Sequence, residues 1–144
     1  MEQNDPNNIK TGKIGENIAC RYLVQKGYTI LERNYRRKCG EIDVVCSLST
    51  SNPSVLHRTF GRFVPHGTKI VFVEVKSINK NSMLRPEENM TANKQRRLIN
   101  VCKLYLAEKN LDLDSDWQID VLGIVLDKEN KKAKIRHIRN ALSS

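Results

Sequence analysis

Lys69-Ile70-Val71-Phe72-Val73-Glu74-Val75-Lys76 is the stretch whose reading decides the fold. Its β-branched and aromatic residues predict a strand, and the apolar density on both sides predicts a central place in a sheet. Successive side chains of a strand point to opposite faces, so Val71, Val73 and Val75 share one side while Phe72, Glu74 and Lys76 share the other. The valine side is ordinary core. The other side carries a carboxylate and an ammonium on a strand expected to be buried, where an unpaired charge is costly. Taken alone, Glu74 and Lys76 read as mutual neutralisation at the end of a strand.

Asp43 changes that balance. It lies between Ile42 and Val44, and a strand that buries those two turns Asp43 to the opposite face. If that strand neighbours the Glu74 strand, the two carboxylates converge. Such a pair suits Mg2+ (or Mn2+), which takes hard oxygen ligands completed by water and substrate phosphate oxygens. A lysine beside the ion can orient or deprotonate a water and offset phosphate charge. Asp43, Glu74 and Lys76 supply those parts.

Outward from this strand, Gly15, Ile18, Ala19, Tyr22 and Leu23 form a helical stripe that ends near Gly27, with Glu16 at its border. Residues 28–35 and 41–46 read as a hairpin around the basic run Arg36-Arg37-Lys38-Cys39-Gly40. Residues 47–68 are rich in Ser, Thr, Pro and Gly yet contain Phe60, Phe63 and Val64, and composition leaves open an ordered insertion or a mobile loop. From Pro86 the chain turns helical, with Glu87 and Glu88 suited to a first turn. Its stripe, Leu98, Val101, Cys102, Tyr105 and Leu106, extends back to Lys94 and Gln95, which point toward the sheet or, as long side chains at a helix start, snorkel out to water. Strands over 118–126 and 133–138 follow, joined by Asp127-Lys128-Glu129-Asn130. The order αβββαββ predicts an α/β fold, a mixed β-sheet flanked by helices. Residues 1–11 read as a flexible N-terminal arm and 12–144 as one domain carrying an insertion at about 47–68.

Charge points to the partner. The 144 residues contain 25 Lys and Arg against 16 Asp and Glu, a net +9, which suits an acidic polymer such as DNA. Two clusters are candidate phosphate contacts: Arg36, Arg37 and Lys38, and Lys131, Lys132 and Lys134 within a longer basic stretch. Aliphatic runs are far too short for a membrane span, and the polar start lacks the order of a secretory signal, so a cytoplasmic protein is expected. The 4 cysteines form no C-x-x-C pair, and Cys46, His57 and His66 match no zinc spacing. Walker, G-x-S-x-G and H-E-x-x-H signatures are absent.

Gly12-Lys13-Ile14-Gly15-Glu16, Glu32-Arg33-Asn34-Tyr35-Arg36, Gly40-Glu41-Ile42-Asp43 and Val71-Phe72-Val73-Glu74-Val75-Lys76 closely resemble the YraN family, a branch of the PD-(D/E)xK nuclease superfamily. Lys94, Gln95 and Leu98, then Asp120-Val121, resemble its later motifs, so the likeness runs from Gly12 to Ile138. The resemblance implies a restriction-endonuclease-like core, similar to that of archaeal Holliday junction resolvases, and metal-dependent hydrolysis of phosphodiester bonds in structured or branched DNA. It implies Asp43 and Glu74 as metal ligands joined by the Val75 carbonyl, and Lys76 as the catalytic lysine. Glu16 matches the helix acid bordering such sites, and Lys94 and Gln95 match positions on the helix after the catalytic strand. Junction-cleaving relatives are commonly dimers, so the resemblance allows a homodimer, while the sequence leaves oligomeric state open. The competing reading is a catalytically degenerate nucleic-acid-binding module. The chain departs from the family in Ile78, where many members carry a basic residue, and in the length of 47–68.

Overall fold

The computed structural model describes residues 6–49, 56–59, 62–65, 68–81, 90–111 and 116–142. The elements are α1 (Pro6–Gln25), β1 (Thr29–Arg37), β2 (Gly40–Ser49), β3 (Leu56–Thr59), β4 (Arg62–Pro65), β5 (Thr68–Asn79), α2 (Ala92–Glu108), β6 (Trp117–Asp127) and β7 (Lys132–Leu142). Strands β1-β2-β5-β6-β7 form one mixed sheet, antiparallel except for the parallel β5–β6 pair that α2 connects. The fold is thus mixed α/β, and β5 takes the central place its composition predicts.

Each face of β5 packs under one helix. Phe72 and Ile70 join Tyr35, Ile42, Val45 and Ile119 beneath Leu98, Val101, Cys102, Tyr105 and Leu106 of α2. Val71 and Val73 join Val44, Cys46, Leu122 and Ile124 against Ala19 and Leu23 of α1. Both helices stop for local reasons. At the end of α1, Tyr28 N–H donates to the Leu23 carbonyl and Gly27 N–H to that of Val24, with Gly27 at φ +89°, where a side chain is unfavourable. Asn110, at φ +54°, ends α2 in the same way.

Several boundaries differ from the sequence reading. Helix α1 begins at Pro6 rather than near Gly15, where the helical stripe starts, so residues 6–11, read as part of an arm, belong to the helix; Pro is tolerated in a first turn, which needs no N–H from it. Thr11 is buried there, its carbonyl accepting Ser77 Oγ at 3.1 Å. Helix α2 begins at Ala92, capped by the Thr91 hydroxyl, which accepts the Lys94 N–H at 3.3 Å; Pro86, Glu87 and Glu88 lie outside the described residues. The 47–68 stretch holds the end of β2, the start of β5 and the antiparallel β3–β4 pair, so the order becomes αβββββαββ. His66 lies outside the described residues.

One contact fixes how α1 lies on the sheet. A methyl group at Gly15 would come within 2.5 Å of Ser77 Cβ and Oγ, so the helix approaches β5 closely only because residue 15 has no side chain. Gly15→Ala is expected to lower stability by about 1–3 kcal/mol despite its better helix propensity. Thermal melting checks this, and Gly15→Ala combined with Ser77→Gly should recover most of the loss.

Candidate active site

The site begins where two strands part. β2 and β5 are paired from Ser49↔Thr68 to Val44↔Val73, and the ladder stops there. The Val75 N–H donates instead to Asp43 Oδ2 at 2.7 Å. On the other side of β2, Asn34 falls between the rungs Arg33↔Val44 and Tyr35↔Ile42, in the left-handed region at φ +52°. Asn accepts that conformation more readily than most residues.

This distortion corrects the simple alternation read from the sequence. Ile42 packs on the α2 side and Val44 on the α1 side, so β2 does not bury both on one face. Asp43 reaches β5 because the strand breaks its period there, and its side chain takes the place of a ladder bond.

Glu74 is 5% exposed and points to the α2 side. Its Oε1 lies 3.1 Å from Lys76 Nζ and 3.0 Å from Lys94 Nζ, so both ammonium groups grip one oxygen. Lys94 therefore comes inward as its place on the helical stripe predicts. Gln95 does not reach the carboxylates: its Nε2 donates to the Met90 carbonyl at 3.1 Å, holding the entry to α2. Glu16 borders the group from α1, where its Oε2 accepts Asn34 Nδ2 at 3.2 Å and lies 3.9 Å from Arg33.

Burial and the charge of Glu74 push the Asp43 carboxyl up to about 7, against the opposing Val75 N–H, and Glu16 and Glu41 add to the rise. A carboxyl so placed is relieved by a proton or by a cation. Both candidate ligands are hard oxygen donors, as Mg2+ requires. Among the described residues no group of three or more His, Cys, Asp or Glu is placed to hold an ion.

A cleft of about 350 Å³ opens on Glu74, lined also by Gly40, Glu41, Thr91, Lys94 and Arg97. It runs into a groove bounded by Arg36, Arg37, Lys38, Glu41, Arg97 and Asn100. Arg97 lines both and was missed in the sequence, where its place three residues after Lys94 was the available signal. Asn34 was missed too, although Asn inside a strand pattern marks an irregular backbone.

The basic clusters occupy the same end of the sheet. β2 runs antiparallel to β5 and β6 runs parallel to it, so the β1–β2 and β6–β7 turns both lie beyond the carboxyl end of β5. They lie on either side of the β5–β6 pair, about three strand spacings or roughly 14 Å apart, with the β6–β7 turn further along the sheet than Glu74, which pairs with Val121 in the middle of β6. Lys131, Lys132, Lys134 and Lys38 are exposed, and Arg36 pairs at the surface with Glu41 at 3.1 Å. Arg37 is also engaged within the protein. Its guanidinium stacks on Tyr35 and makes two bonds to Glu108, at 2.6 and 2.9 Å, which tie the hairpin to α2.

Asp120 lies elsewhere. It is fully buried opposite Val73, on the α1 side of the sheet, where it accepts Gln118 Nε2, the Asn140 N–H and His137 Nε2 at 2.7, 2.8 and 2.8 Å. The Asn140 bond satisfies the bulge that shifts the β6–β7 register, with Asn140 at φ +47°.

Residues 15–124 match the model of the uncharacterised protein family UPF0102, from the helix glycine that sets α1 on the sheet to the middle of β6. The chain belongs to the UPF0102 family. It is 34% identical over 131 residues to a UPF0102 protein of Desulforamulus reducens, covering 91% of this chain and 93% of that one. A UPF0102 protein of Alkaliphilus metalliredigens is 37% identical over 130 residues, 90% of this chain and 95% of its own. One from Clostridioides difficile is 33% identical over 135 residues, 94% and 98% of the two chains. The UPF0102 match thus spans Glu16, Asp43, Glu74, Lys76, Lys94 and Gln95, and it ends before the Lys131 cluster. No helix among the described residues is long and apolar enough to cross a membrane.

Proposed function

We propose that this UPF0102 protein is a divalent-cation-dependent endodeoxyribonuclease with a restriction-endonuclease-like core, acting on structured or branched DNA. The observation that carries the reading is the meeting of Asp43, Glu74, Lys76 and Lys94 in the carboxyl half of the central strand, on the side of the sheet that carries two basic turns. Asp43 and Glu74, with the Val75 carbonyl, would hold Mg2+ or Mn2+, which supplies charge stabilisation at the scissile phosphate and an activated water. Lys76, fixed on β5, orients that water and offsets the developing negative charge. Glu16 keeps Asn34 and the β1–β2 hairpin in register with Asp43. Arg36, Lys38, Arg97 and the Lys131, Lys132 and Lys134 turn hold the phosphate backbone on either side. A homodimer would present two such sites to a two-stranded substrate, which sedimentation would reveal.

The test is cleavage of linear, flapped and four-way-junction DNA in Mg2+ or Mn2+, comparing wild type with Asp43→Ala and Lys76→Ala, with a chelator control. Cutting by wild type alone, lost in chelator, is expected, with rates in both variants reduced by at least about a hundredfold. Salt-sensitive binding without cutting, unchanged in both variants, would instead identify a binding module that kept the fold without turnover.

A further inference from the structure

The two ammonium groups on Glu74 are not equivalent. Lys76 extends from the middle of the sheet, with a side chain 24% exposed, while Lys94 extends from the first turn of α2, with a side chain 42% exposed. Both lie against the same oxygen, so without a cation Glu74 is held by two ammoniums at once. A divalent cation brought to Glu74 competes with both ammoniums for that one buried carboxylate, so one ammonium has to withdraw. The more buried Lys76 is held by its strand. Lys94 has somewhere to go, because it lines the open cleft together with Thr91, Asn93 and Arg97.

We propose that Lys94 is an exchangeable counter-ion. It holds Glu74 while the protein is free of divalent cation, and once a cation is bound it leaves the carboxylate and turns into the cleft, where it takes a phosphate oxygen beside Arg97. This rests on the nuclease reading and adds to it a coupling: the cation frees a phosphate-binding lysine, and bound phosphate keeps that lysine away from Glu74. The two ligands then favour each other by one shared factor, as linkage requires.

Lys94→Met and Lys94→Arg test the exchange. Calorimetry measures Mn2+ affinity without DNA, and fluorescence anisotropy measures affinity for a short duplex in Ca2+ and in chelator. Lys94→Met is expected to bind Mn2+ on the order of tenfold more tightly than wild type, because its competitor for Glu74 is gone. The gain in DNA affinity on adding Ca2+ is expected to fall in Lys94→Met by a similar factor, and Lys94→Arg is expected to retain both wild-type behaviours. Mn2+ affinity that is unchanged or weaker in Lys94→Met, in a variant with a wild-type melting curve, would overturn the exchange. Failure of wild type and Lys94→Met alike to bind Mn2+ would overturn the metal-dependent reading beneath it.

Discussion

Asp43→Asn is expected to melt at a higher temperature than wild type at pH 8 in the presence of a chelator. The Asp43 carboxyl is pushed from 3.8 up to about 7 in the fold. Between about pH 4 and pH 7 the folded chain therefore holds a proton that the unfolded chain has released. Stability of the cation-free protein falls as pH rises through that window, and above it the ionised carboxylate carries a penalty on the order of 2–4 kcal/mol. Asparagine removes the charge and keeps an oxygen to accept the Val75 N–H. A stabilised variant with no cleavage, and with no rise in melting temperature on adding Mn2+, would show that the site is strained for a cation. Wild type should gain stability under the same addition, by about 2.7 kcal/mol at a concentration a hundred times Kd. Cation binding near pH 6 should also release close to one proton, measurable by calorimetry in buffers of different ionisation heat. A variant less stable than wild type at pH 8 in chelator would refute the account.

Asp120→Ala is expected to be the most damaging substitution for folding, costing about 3–5 kcal/mol. The carboxylate is fully buried and accepts three donors, from Gln118, Asn140 and His137. The substitution leaves the Asn140 N–H and the His137 ring without their acceptor in the interior, and unmade bonds cost more there than made ones contribute. Tyr22 OH lies 3.4 Å from His137 Nδ1, so α1 loses a tie to β7 as well. Chemical denaturation should show a lower midpoint. Asp120→Asn, which can still accept the Asn140 N–H, should lose less. A loss below about 1 kcal/mol in Asp120→Ala would remove the structural role, and an equal loss in both variants would show that charge rather than geometry is what the network needs.

How much of this was legible varied with the kind of evidence each residue carries. Phe72 and Val73 announce opposite faces of a strand because strand geometry has a period of two, and the faces fall as read. Lys94 was legible as inward because it extends the stripe of Leu98 and Val101, and it meets Glu74. The adjacent Gln95 carries the same signal, yet its amide is taken by the Met90 carbonyl, since a residue in a first turn can satisfy the backbone that enters the helix. Arg37 looked like its neighbours Arg36 and Lys38, and only the approach of Glu108 from α2 makes it an anchor. Glu108 lies 71 residues further along the chain, beyond any local pattern.

The sequence by itself determined the mixed α/β class, the central place of β5, the two helices and the presence of a carboxylate and a lysine on one face of a buried strand. Those follow from periodicity and composition, which act over a few neighbouring residues. Tertiary structure decided how Asp43 reaches that strand. The left-handed backbone at Asn34 and the end of the β2–β5 ladder at Val44↔Val73 act together there. Each depends on the packing of elements distant in sequence, and a break in strand period is the feature that an argument from strand period does not foresee.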